Sequence, residues 1–185
     1  TLSGTNFDLS LAASAVQFFD GTATPTVGYN GAGFWGPTLI MTKGTNVGLT
    51  VSNALEEDTT THWHGFHVPP EMDGGPMQVI GAGCAWSATF EVKNKAATYW
   101  YHPHAHELTW KQLNMGAGGF IIVQDDEESA LALPRTYGVD DIPLILTSRK
   151  FLDDNAIDTG AIYGDHVLTN GTLSAEVGLP AQLVR

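Results

Sequence analysis

Apolar and polar residues alternate along Asn46–Asn53 and again along Ser87–Val92, the pattern of strands with one buried and one exposed face. Gly119–Val123 is a short apolar run that also predicts a strand. Three earlier segments predict further strands or an opening hairpin: Leu9–Ala13, Val16–Phe19 and Thr38–Met41. Glycine-rich turns separate these segments, and Leu108–Met115 is the best candidate for a short helix. The pattern predicts an all-β sandwich or barrel over residues 1–125.

An acidic stretch, Asp125–Ser129, then leads through Pro134 to Asp140, and we predict a linker over residues 126–139. Two further β segments are predicted beyond it, at Ile142–Leu146 and Val167–Gly171. Residues 140–185 thus begin a second domain that is incomplete in this chain. Because roughly 45 residues rarely form a stable domain alone, we expect other polypeptide to complete this part, or the first domain to support it.

Composition narrows the possible partners. The 185 residues include 20 acidic and 8 basic side chains, for a formal charge of −12, which disfavours nucleic acid and anionic membranes as partners. No apolar run approaches the ~20 residues of a membrane-spanning helix, so membrane insertion is not expected. The single cysteine, Cys84, excludes an internal disulfide and a cysteine-based zinc site.

Two histidine pairs carry the chemistry: His62-Trp63-His64 and His102-Pro103-His104. Residues i and i+2 share a face only in an extended segment, and the threonine and aromatic residues that precede the pairs favour strands. Two adjacent strands would point four imidazoles into one space, which suits copper or zinc. The sequence therefore predicts half or more of a multinuclear metal site.

Other interpretations explain less of the sequence. His62-x-His64-x-x-His67 superficially matches a metallo-β-lactamase motif, but Phe66 stands where that motif has an aspartate. An amidohydrolase also begins with two alternate histidines but needs a barrel longer than this chain. Histidines scattered on a surface would not be expected to form two such pairs among only seven histidines.

The segments around the pairs resemble the amino-terminal domain of multicopper oxidases, the family of laccases and bacterial cuprous oxidases. Both pairs match its copper motifs, as Thr61-His62-Trp63-His64-Gly65 and Tyr99-Trp100-Tyr101-His102-Pro103-His104. The segments between and around the pairs match as well: Tyr29-Asn30-Gly31, Gly36-Pro37-Thr38-Leu39, Asp73-Gly74-Gly75-Pro76 and Met115–Val123. The resemblance implies a cupredoxin-like Greek-key β-sandwich, followed by the first strands of a second cupredoxin domain.

The resemblance also implies roles for individual residues. His62 would bind the type 2 copper, His64 and His102 would share one type 3 copper, and His104 would bind the other. Asp73 would deliver protons to this trinuclear cluster. By the same resemblance, the remaining four histidine ligands and the type 1 copper site would lie in a carboxy-terminal part. In agreement, the single cysteine, Cys84, has no histidine near it in the sequence.

Four other residues are expected to contribute less to the metal site and its chemistry, or not at all. Glu107 is a weaker candidate for proton delivery. His67 and His106 are expected to support the site or lie on the surface, and His166 to be an ordinary polar side chain.

The function implied is the amino-terminal part of an oxidase that couples one-electron oxidation of a reducing substrate to four-electron reduction of dioxygen to water. Phenols, cuprous or manganous ions and bilirubin all remain open as the reducing substrate. The expected partner is the carboxy-terminal remainder of the oxidase, as a second chain after cleavage near Arg185. Thr1 without an initiator methionine is consistent with a removed signal peptide or with an artificially shortened chain. Because oxidases of the family it resembles are usually exported, we expect a periplasmic or secreted protein. The rival interpretation is a non-catalytic copper-binding or scaffold protein on the same fold.

Overall fold

The computed structural model describes residues 1–173, and strands dominate it. The strands are β1 (Leu2–Ser3), β2 (Asn6–Val16), β3 (Thr24–Tyr29), β4 (Leu39–Thr42), β5 (Asn46–Asn53), β6 (His62–His64), β7 (Ala85–Glu91), β8 (Ala97–His102), β9 (Gly119–Gln124), β10 (Leu146–Arg149), β11 (His166–Thr169) and β12 (Thr172–Leu173). Helices α1 (Thr109–Asn114) and α2 (Asp126–Ser129) are short, and Pro70–Met72 forms a 3₁₀ turn. The predicted all-β class is confirmed. No helix among these residues is long and apolar enough to cross a bilayer.

Two mixed sheets form a sandwich. One has the order β1-β4-β9-β8-β6 and the other the order β3-β2-β5-β7. Alternate residues of β2 and β5 face inward and meet the inward residues of β4, β8 and β9. Burial of these apolar faces is the main force that holds the two sheets together. The core cluster they form includes Leu9, Leu49, Met41, Tyr101 and Ile121.

The early part of the chain differs in detail from the prediction. β2 is one strand of 11 residues that includes Val16. Phe18 and Phe19 lie outside it and contact Phe151. The sequence patterns missed β3, which pairs with β2 as a hairpin at the edge of its sheet. Pro25 within β3 is tolerated at that edge because an edge strand leaves some backbone donors unpaired.

The predicted linker is tied to the first sandwich. Asp125 caps α2 by accepting a hydrogen bond from the backbone of Glu128, and Arg135 forms an ion pair with Glu128. The hydroxyl of Tyr137 lies 2.7 Å from that of Thr38. The domain boundaries at residues 125 and 140 stay a prediction.

A third sheet, of order β10-β11-β12, follows the linker. Of the predicted segment Ile142–Leu146, only Leu146 lies in a strand, because β10 begins there and extends to Arg149. The second predicted segment is confirmed as β11, and Asn170-Gly171 turns into β12 with φ of 47° and 78°. These positive φ values suit the two-residue hairpin turns that match strand twist. The predicted start of the second domain beyond Leu173 lies outside the described residues.

The third sheet has two different faces. Leu168 and Arg149 are buried on the side that meets the first sandwich, where Phe34 and Ile157 complete a second small core. The register pairs Ser148 with Val167 on the opposite face, where Val167 is exposed and Leu146 is 68% exposed.

Candidate metal centre

Strand pairing brings the two histidine pairs together. β6 runs antiparallel to β8, with His62 opposite His102 and His64 opposite Trp100. These side chains therefore share one face of the sheet. Five ring-to-ring distances within the group of four histidines lie between 5.3 and 6.0 Å, measured between centroids. All four imidazoles predicted to bind metal thus border one space.

The ring nitrogens are close enough to share metal ions. His62, His64 and His102 each offer one nitrogen, and these three atoms lie within 4.8 Å of one another. Nδ1 of His64 lies only 3.1 Å from Nε2 of His102. Two metal bonds of about 2.0 Å to nitrogens at that separation subtend roughly 100°, close to a tetrahedral angle. This geometry fits a single ion between the two rings.

Backbone carbonyls fix the rings of two of these histidines. Nδ1 of His62 lies 2.9 Å from the carbonyl oxygen of Asp73, and Nδ1 of His102 lies 2.8 Å from that of Pro103. A carbonyl accepts only, so each Nδ1 carries its proton and each Nε2 keeps a lone pair, which in His102 is directed at Nδ1 of His64. This is the usual support for a metal-binding imidazole.

His104 is held differently, through its backbone. Its N–H donates to Oγ1 of the buried Thr60 at 2.7 Å. Its ring centroid is 5.4 Å from that of His62 and 6.0 Å from that of His102. His104 therefore borders the three-nitrogen group without belonging to it, as expected if it binds a neighbouring ion.

The local electrostatics favour neutral imidazoles. Burial, with a smaller contribution from the three neighbouring histidines, lowers the pKa of His102 from its usual 6.5 to about 4, against the opposing effect of the Pro103 carbonyl. The pKa of the more exposed His64 is also lowered, first by partial burial and then by the charges of His62 and His104. Neutral imidazole is the form that binds metal, so both rings are ready ligands at neutral pH.

Asp73 lies behind His62 rather than between the rings. Its Oδ1 is 3.3 Å from Nδ1 of His62, and its side chain is 35% exposed. Gly74 fixes this loop against the strand, because a Cβ there would meet the carbonyl oxygen of Thr61 at 1.7 Å. The carboxylate therefore reaches both solvent and one ring of the cluster.

The weaker candidates lie apart from the cluster. Glu107, His67 and His106 are exposed, and the backbone N–H of His67 donates to Asn94. His166 pairs with Asp165 and contacts Phe19 in the second core region. Cys84 is exposed, at the start of the β7 region.

Three supporting residues had no clear signal in the sequence. Thr60 holds His104, as described above. Gln112 is fully buried and accepts a hydrogen bond from Thr59, which ties α1 to the segment before β6. Trp35 stands parallel to Trp100, 6.3 Å away between ring centroids, and Trp100 stacks on two of the histidines. The threonine run had indicated only strand propensity.

A profile of the multicopper oxidase family matches residues 11–128, which include all four histidines and Asp73. The chain belongs to the multicopper oxidase family. The family expected from the motifs is therefore confirmed.

Individual relatives agree with this membership. The chain is 37% identical over 177 residues to multicopper oxidase mco of Staphylococcus aureus, covering 93% of this chain and 39% of that protein. It is also 33% identical to the cell division protein FtsP of Escherichia coli, covering 91% of this chain and 37% of that protein. The chain thus spans about two fifths of the length of these relatives.

Solved structures give the same result for the fold. A laccase from Pediococcus acidilactici superposes with a TM-score of 0.84 at 35% identity, over 92% of this chain and 38% of that one. The predicted cupredoxin-like sandwich of multicopper oxidases is therefore confirmed. Membership in this family implies copper as the metal, and the four-histidine arrangement fits that ion.

Proposed function

We propose that this multicopper oxidase chain contributes half of a trinuclear copper cluster that reduces dioxygen to water. Electrons would come from a reducing substrate, phenol-like or a metal ion, oxidised one electron at a time. The observation that carries the proposal is the 3.1 Å approach of Nδ1 of His64 to Nε2 of His102 within a group of four imidazoles. Bound copper would supply the electron transfer to dioxygen.

Each histidine has its own place in this proposal. His64 and His102 hold one type 3 copper between them, which their facing nitrogens support. His62 binds the type 2 copper through Nε2, because its Nδ1 proton is held by the Asp73 carbonyl. His104, outside the three-nitrogen group, binds the second type 3 copper.

Protons for the reaction enter through Asp73. Its carboxylate exchanges protons with solvent through its exposed part and lies beside His62 at the edge of the cluster. A carboxylate in this position can be reprotonated repeatedly without a structural change. Glu107 is exposed and has no comparable contact with the rings among the described residues.

Polypeptide outside these residues completes the site. Four histidines are too few for three coppers, and Cys84 is exposed rather than placed among histidines. The partner we propose is therefore the remainder of the oxidase, which carries the other ligands and the type 1 copper. Because the relatives are much longer than this chain, their length supports the proposal. Export to the periplasm or the outside of the cell is part of the same proposal.

The test is His102→Ala in the copper-loaded oxidase that contains these residues. We expect oxygen consumption to disappear together with the near-ultraviolet absorption of the coupled type 3 pair. His106→Ala is the matched control, because that exposed histidine lies outside the cluster and should leave both signals unchanged. Turnover that survives in the His102 variant would refute the ligand assignment.

A second candidate is a non-catalytic role, favoured by the 33% identity to the cell division protein FtsP. A scaffold needs the fold but not a supply of electrons to dioxygen. Purified protein that folds, is offered copper and shows neither bound copper nor oxygen consumption would favour this alternative. Four retained histidines in one space favour the oxidase.

A further inference from the structure

One indole lies against both rings that face each other across the shortest nitrogen-to-nitrogen contact. Trp100 is opposite His64 in the β6–β8 pairing and two residues before His102 in β8. Its ring centroid is 4.1 Å from that of His102 and 4.9 Å from that of His64, with 26° between the planes in both cases. Among the described residues, these are its ring contacts with histidines.

His64 lacks the kind of support that the neighbouring ligands have. Carbonyl oxygens orient His62 and His102 through Nδ1, whereas Nδ1 of His64 is the atom that faces His102. Within residues 1–173, no protein carbonyl or carboxylate is bonded to the His64 ring. Rotation of this ring out of its plane, about its Cβ–Cγ bond, would turn Nδ1 away from Nε2 of His102 and tilt the ring away from Trp100. Contact with the Trp100 indole is thus what limits this rotation.

The indole of Trp35 stacks on the indole of Trp100. The two indoles are nearly parallel, at 19°, and Trp35 also meets Phe120 edge-on. Trp35 has a φ of +61°, which is unfavourable for a bulky residue. A Cβ at Gly118 would come within 2.5 Å of its ring, so the indole lies directly on the backbone. Strained backbone of this kind persists only where surrounding contacts enforce it.

The remaining side of Trp100 is not closely packed. It borders a cavity of about 240 Å³ that is also lined by Trp35, Trp110, Ile145 and Thr147. Without Trp35, the Trp100 ring would have room to move away from the histidines. Trp35 and Trp100 therefore act together to hold the Trp100 ring against the histidines.

We propose that Trp100 is a positioning residue that holds the plane of the His64 ring, so that its Nδ1 stays directed at the copper it shares with His102. The inference rests on the proposed function, since it assumes that these two rings bind copper. Trp100 contacts the two ligand rings, so its effect is on the orientation of the His64 ring and on how tightly that ring binds copper.

The experiment uses the full chain, copper-free and labelled with ¹⁵N-histidine, titrated anaerobically with Cu(I). Cu(I) is diamagnetic, so ring nitrogen shifts report which atom of His64 binds, and competition with a chelator gives the affinity. Trp100→Leu should weaken Cu(I) binding roughly 10- to 100-fold, the usual effect of losing support for a ligand. The shift of the His64 ring nitrogens on addition of Cu(I) should then become smaller or disappear, because the ring no longer stays in its binding plane. Trp100→Phe keeps an aromatic ring and should retain Nδ1 binding.

Two further variants keep the result interpretable. Trp100→Val is a second ring-free change in a strand-forming residue, and it is the test variant if the leucine protein does not fold. Trp86→Leu removes an indole that stacks on Trp63 instead of on a histidine, so it should leave Cu(I) binding unchanged. A folded ring-free variant with Nδ1 of His64 bound at wild-type affinity would overturn the inference and leave the proposed function standing. Wild-type chain that binds no Cu(I) through these histidines would instead overturn the proposed function.

Discussion

The backbone N–H of His104 donates to the hydroxyl of Thr60, and this bond joins the second histidine pair to the segment that leads into the first. The ladder between β6 and β8 ends at the pairing of His62 with His102, so His104 lies beyond it. A buried side-chain hydrogen bond therefore sets the place of the fourth ring. The relative position of the two pairs depends on threonines as well as on strand pairing.

Thr60→Val should test this bond, because valine keeps the shape of threonine but cannot accept a hydrogen bond. An unsatisfied buried N–H costs about 1–3 kcal/mol, and we expect the free energy of unfolding to fall by that amount. Thr60→Ser retains the hydroxyl and is the control. Chemical denaturation of the copper-free chain gives both values. Equal stability of the two variants would show that the hydroxyl does not hold His104.

Gly74→Ala should destabilise the loop that carries Asp73. The φ of Gly74 is +67°, and a new Cβ would collide with the Thr61 carbonyl at 1.7 Å. Gly83→Ala is a matched control, because its φ is +71° but nothing lies within 4 Å of the added carbon. The control should lose about 1–2 kcal/mol for the left-handed backbone alone. We expect a clearly larger drop in thermal midpoint for Gly74→Ala, and similar drops would contradict the close approach.

Arg149→Met should loosen the sheet that follows the linker. The guanidinium is buried and donates from Nε to the carbonyl of Asn114 at 2.7 Å and from Nη2 to that of Leu113 at 3.1 Å. Removing it leaves the carboxy-terminal carbonyls of α1 without these donors, a loss of about 2 kcal/mol for bonds to a charged group. Hydrogen exchange should accelerate in β10 and β11, whereas the exposed Lys150→Met should not change it. Unchanged protection of both strands in the arginine variant would contradict this anchoring role.

Acid should destabilise the copper-free chain through His102. Its folded-state pKa of about 4 lies below the usual 6.5, so the unfolded chain binds more protons between these values. The stability that the neutral ring contributes is complete above pH 6.5 and is lost as the pH falls toward 4. The thermal midpoint of wild type should decrease across this window more steeply than that of His102→Gln, which cannot titrate there. Parallel curves for the two proteins would contradict the lowered pKa.

The sequence was informative where neighbours along the chain share one face of a strand. The alternation in Asn46–Asn53 predicted β5 with its correct bounds, and the two histidine pairs predicted four rings in one space. Local patterns fail where the deciding contact is distant. Thr60 and His104 are 44 residues apart, and the stack of Trp35 on Trp100 depends on a backbone conformation that tryptophan rarely adopts.

β3 and β10 show a second reason for failure. Pro25 and Gly28 make β3 resemble a loop. The position of β3 at the sheet edge explains why Pro25 is tolerated, and Gly28 lies where a Cβ would meet the carbonyl oxygen of Ala32 at 1.8 Å. β10 begins at Leu146, four residues later than the apolar run suggested. Which part of an apolar run forms a strand is decided by its partner, here β11, and not by the run itself.

Leu146 and Val167, at diagonal positions on the outward face of the third sheet, have a practical consequence for anyone who produces this polypeptide. Bare apolar side chains on a small sheet invite self-association, especially during refolding at high concentration. Replacing both with lysine or glutamate should keep preparations soluble without changing His62, His64 and His102, which lie on strands of a different sheet.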